Sequence, residues 1–153
     1  MGTVLSPTPG FWMFLGVLLA VPYLLVGRWL SPSASRAWWA GGLVVAALVY
    51  IGLALARSAP PLAVGFEVGG VAVYGALAAL GLRRDVGWLA AGWLLHPVWD
   101  VGFHPGFALA PEAYVWACVG FNLAVGIELV VTRRRRRRAA SLPSGDRPPG
   151  SES

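Results

Sequence analysis

The chain has 153 residues, 57% of them hydrophobic and only 12% charged, about half the charged share of a soluble domain. With a mean hydropathy of +0.65, it falls outside the ordinary soluble class and reads as an all-α integral membrane protein. Every basic residue is arginine; residues 1–132 hold five against five acids and 133–153 hold seven against two, so the net charge of +5 belongs to the tail.

Five apolar segments follow in order, roughly 10–27, 37–56, 61–82, 86–104 and 112–132, each near the ~20 residues that cross a bilayer. The first has no positive charge before it and Arg28 after it, the reverse of a signal peptide, so it is a span. Arg28 and Arg36 fall in the first linker, Arg57 in the second, Arg83 and Arg84 in the third, none in the fourth, and Arg133 to Arg138 after the fifth. Alternate sides therefore hold ten arginines and one. The positive-inside rule predicts a bundle of five transmembrane helices in the cell membrane, with the N-terminus outside and the C-terminus cytoplasmic. With that end outside, the myristoylation-like Met1-Gly2 to Ser6 pattern is a chance match.

Residues 1–132 form the transmembrane helical domain, and the Ser/Pro/Gly-rich 133–153 is predicted to be a disordered polybasic cytoplasmic tail. Its arginine run suits anionic lipids, and it lacks the folded basic surface that nucleic-acid binding needs. Trp12, Trp38, Trp39, Trp88, Tyr114 and Trp116 lie near segment ends and are predicted to sit at the interfaces. Gly65 and Gly69 make a GxxxG pair that predicts a close helix approach. Glu112 after Pro111 reads as a helix start, Glu128 as a snorkelling acid paired near Arg133, and Cys118, the single cysteine, as a buried small hydrophobe.

The fourth segment carries the chemistry. His96, Asp100 and His104 recur every four residues, which places them on one slowly drifting helix stripe with ~6 Å of rise per step. Measured from the outer ends of their segments, Asp100 lies ~6 Å deep, Glu67 ~9 Å, His96 ~12 Å and Asn122 ~15 Å. Three helices thus bring ionisable or amide groups to overlapping depths in the outer half of the membrane, where such groups are expensive. His96 and His104 are ~12 Å apart along the axis, too far to share one ion. His96 and Asp100 with Glu67 make a nitrogen and two carboxylates, a set suited to a divalent metal such as zinc or non-haem iron. Asn122 then stands behind the ligands or meets substrate, and His104, before Pro105, reaches water. Pro97 predicts a kink within the site.

The segment Gly92-Trp93-Leu94-Leu95-His96-Pro97-Val98-Trp99-Asp100, with His104, resembles a family of small bacterial membrane proteins of unknown function marked by a GWLLHxxWDxxxH segment. The likeness covers roughly residues 60–130, and Glu67 stands where the family has a glutamate. Where the family places an acid four residues after a cysteine in its last span, this chain has Cys118 and Asn122. The resemblance implies a shared site in the last three spans. The expected use is metal-dependent hydrolysis or isomerisation of a lipid-like substrate, with Glu67, His96 and Asp100 both catalytic and metal-binding. The competing expectations are a small proton-coupled transporter subunit, acting as a homo-oligomer, and a structural partner of a membrane complex.

Overall fold

The structure is a computed structural model and describes residues 8–102 and 109–141. Thr8, Ser31 and Pro60 each precede a proline, and each opens a helix: α1 (Pro9–Trp29), α2 (Pro32–Ala56) and α3 (Pro61–Arg83). Proline at the first helical position gives up only an N–H that has no intrahelical partner there. At α2 the Ser31 hydroxyl adds a cap, accepting from the Ala34 N–H at 3.4 Å. That cap starts α2 five residues before the apolar run at 37. α4 covers Gly87–Gly102, helical through Pro97, and α5 covers Glu112–Ala140. The described residues hold these five helices and no strand.

α1, α2, α3 and α5 are long and apolar enough to cross a membrane, whereas α4 is described over 16 residues. The bundle is built on α5, which packs against α1 and α4, and on the α2–α3 pair. Leu43, Trp39, Tyr74, Trp93 and Leu129 belong to its central core. Large apolar side chains such as Leu19, Leu55, Leu62 and Val98 remain exposed around the outside, as a lipid-facing surface requires and a soluble one disfavours.

Backbone contact between α1 and α5 depends on two glycines. A methyl group at Gly16 would overlap the Ala117 carbonyl, and one at Gly120 would overlap that of Met13. The expected GxxxG pair plays no such part, since Gly65 and Gly69 meet nothing within 4 Å and Gly70 receives Trp99 instead. Trp39, expected at an interface, is buried against Gly27.

The arginine run also differs from its expected place in a disordered tail, because α5 continues through Arg133 to Arg138. Arginine is a good helix former, and Arg133 and Arg137, one turn apart, both face Asp85. Residues 142–153 lie outside the described residues. Glu128 pairs with Arg28 at 2.8 Å and accepts from Thr132 at 3.0 Å, while Arg133 takes Asp85. Glu112 does open α5 and accepts from Trp116 Nε1 at 3.2 Å.

Candidate functional site

α4 and α5 run antiparallel, so His96 and Asp100, one turn apart on α4, meet Asn122 midway along α5. All three are buried, as is Glu67 on α3, with 1%, 0%, 2% and 2% of their surfaces exposed respectively. His96 Nδ1 lies 3.2 Å from Asp100 Oδ1 and 3.2 Å from Asn122 Nδ2, and Asn122 Nδ2 also donates to Asp100 Oδ2 at 3.4 Å. An imidazole nitrogen either donates or accepts. Asn122 Nδ2 has two N–H groups, so one can donate to Asp100 Oδ2 while the other donates to an unprotonated Nδ1; a protonated Nδ1 instead faces Asp100 Oδ1. The first arrangement puts the ring proton on Nε2, and the second leaves Nε2 with its lone pair. Nε2 is buried and has no hydrogen-bond partner among the described residues.

Glu67 is brought close to this set. Its Oε2 accepts from Trp99 Nε1 at 3.4 Å, and Trp99 lies on Gly70 and against Phe66. Glu67 and His96 line one crevice with no room for a water molecule. Among the described residues no group of three or more His, Cys, Asp and Glu side chains is placed to hold a metal ion. His104 lies outside the described residues.

Sequence reasoning missed the tyrosines. The Tyr74 ring lies over the His96 imidazole, with centroids 4.6 Å apart and planes at 33°. Tyr50 stands 6.2 Å away on α2, beside the Asp100 carboxylate. Both are buried. Their mid-span positions were the available signal, because a tyrosine hydroxyl deep in an apolar helix needs a partner.

A cavity of about 340 Å³ opens from the same cluster, between α1, α2, α4 and α5. Leu19, Val45 and Phe121 supply apolar walls, while His96, Asn122 and Cys118 stand at its polar side. Cys118, half-buried, is thus a lining residue and not a core one. Tyr114, expected at an interface, lines this cavity too. A mostly apolar cavity with a few converging polar groups is the usual form of a small-molecule site. No protein-family model, curated protein or solved structure matches the chain.

Proposed function

We propose that the chain is a five-span membrane protein, N-terminus outside, that hydrolyses or isomerises a lipid-like substrate held beside His96 in the outer half of the bilayer. The observation that carries this reading is the buried Nε2 of His96, which has no hydrogen-bond partner among the described residues, on a ring whose Nδ1 lies 3.2 Å from Asp100 Oδ1. With Nδ1–H turned to Asp100, Nε2 is free to take a proton, and the carboxylate supports the imidazolium that forms. The adjacent apolar cavity suits an acyl or isoprenoid chain entering from the membrane. The protein in nanodiscs of bacterial lipid extract, followed by lipid mass spectrometry, tests it. Wild type is expected to convert one lipid class and His96→Gln to leave it intact; identical profiles from two folded proteins would overturn the reading.

A metal is the competing use of the same lone pair, since zinc and non-haem iron both bind neutral imidazole. Stoichiometric metal in freshly purified wild type, absent from His96→Gln, would favour it.

A further inference from the structure

At the end of the bundle where α1 and α3 finish, the start of α2, the α3–α4 linker and the last turns of α5 enclose a second cavity of about 170 Å³. It shares no lining residue with the His96 cavity. Arg36 of α2 and Arg133, Arg136 and Arg137 of α5 face it, with Asp85 as its one carboxylate. That carboxylate is already engaged. Arg133 Nε lies 2.6 Å from Oδ1, Arg137 Nη2 lies 3.8 Å from Oδ2, and the Gly87 N–H donates to Oδ1 at 2.8 Å. Arg36 and Arg136 form no ion pair among the described residues.

Four guanidiniums around one carboxylate leave an uncompensated positive charge in a recess, and planar guanidinium forks match phosphate oxygens. The first turn of α2, with Pro32 and Ser35 in the wall, adds the positive end of a helix dipole. Trp39, Val86 and Leu129 make the remaining wall apolar. Arg133 stands one span from Glu112 along α5, ~32 Å by helical rise, which matches the hydrocarbon thickness and sets the cavity at headgroup level. On the ~30 Å³ that a water occupies in the liquid, the recess has the size of a phosphate group with part of its glycerol.

We propose that this cavity seats the phosphate of an anionic phospholipid headgroup. Arg36 and Arg136 hold the oxygens, and the acyl chains lie along the apolar side. Basic recesses between transmembrane helices suit such headgroups. The site differs from general attraction to the arginine run, because Arg134 and Arg135 belong to that run but do not line the cavity.

Native mass spectrometry of the full chain, titrated with phosphatidylglycerol or phosphatidylcholine, separates the two. Wild type is expected to retain phosphatidylglycerol in preference to phosphatidylcholine. The double variant Arg36→Gln/Arg136→Gln should retain it at least tenfold less, and the charge-matched Arg134→Gln/Arg135→Gln should retain it as wild type does. Ser35→Glu, which keeps every arginine and adds a carboxylate to the wall, should lose the lipid as well. Equal losses in the two double variants, or no preference between the lipids, would overturn the proposal. Displacement by equimolar inorganic phosphate would do so too, by assigning the site to a free anion.

Discussion

His96 Nδ1 lies 3.2 Å from both Asp100 Oδ1 and Asn122 Nδ2, while Nε2 meets no hydrogen-bond partner among the described residues. Asp100→Asn keeps the shape but replaces the carboxylate beside Nδ1 with a neutral amide, which no longer supports the charge of an imidazolium. We expect that variant to lose about 10²- to 10⁴-fold in turnover, the usual weight of a positioned acid or base, in the same nanodisc lipid assay. Full activity in Asp100→Asn would remove Asp100 from the proton path. Depth arithmetic made Glu67, His96, Asp100 and Asn122 legible as neighbours, because each helix carries its offset into the membrane unchanged. It could not show that the Trp99 indole would take the Glu67 carboxylate, which depends on how α3 and α4 are rotated. A second residue-scale expectation comes from the turn after α2, where Ser58 adopts φ 51° as the Ala59 N–H reaches back to the Ala54 carbonyl at 2.9 Å. Glycine adopts that conformation without the Cβ penalty. Ser58→Gly should therefore stabilise the fold by about 1 kcal/mol, read as a raised thermal midpoint in detergent; a lowered one would mean the serine side chain matters more than its backbone.

Between elements, the α1–α5 contact is the most exposed to a single change. Gly16→Leu or Gly120→Leu would drive a side chain into the facing backbone, and neither backbone can withdraw without parting the helices. Either variant should loosen α1, seen as faster hydrogen exchange along α1 with α2–α3 unchanged; intact protection would show that the helices slide past the insertion. The GxxxG spacing on α3 carried no such meaning, since spacing alone does not say which side of a helix meets a neighbour. The other sensitive joint is Asp85, whose carboxylate ties the α3–α4 linker to α5. Burial raises its pKa, but the Gly87 N–H and then the Arg133 and Arg137 guanidiniums outweigh that and hold it below the usual carboxylate range. A depressed folded pKa contributes stability that is present above the unfolded value of about 3.9 and lost as pH falls through the folded one. Wild type should thus be more stable than Asp85→Asn at neutral pH, and the gap should close only below about pH 4. A gap independent of pH would mean that the pairing contributes nothing through charge. The extension of α5 through the arginines was hidden in the sequence because its anchor, Asp85, lies 48 residues upstream of Arg133.

For the whole molecule, composition alone made a helical membrane protein legible, and the arginine pattern set the orientation we propose. The structure groups the same residues. Arg28 pairs with Glu128, and Asp85 with Arg133, which brings the end of α1, the α3–α4 linker and the late turns of α5 to one end of the bundle. Ala54, Ala63 and Leu109 pack together at the other end, where Arg57 follows α2. The five spans we propose put ten of eleven arginines up to residue 138 on one side, the side the positive-inside rule predicts to be cytoplasmic. A cytoplasm-dependent reporter fused after Arg138 should therefore be active and one inserted near Ala110 silent. A reporter active only outside should give the converse at both positions. Reversal of both results would turn the bundle over, moving His96 and Asp100 to the inner half of the membrane and the arginine-lined cavity to the outer surface.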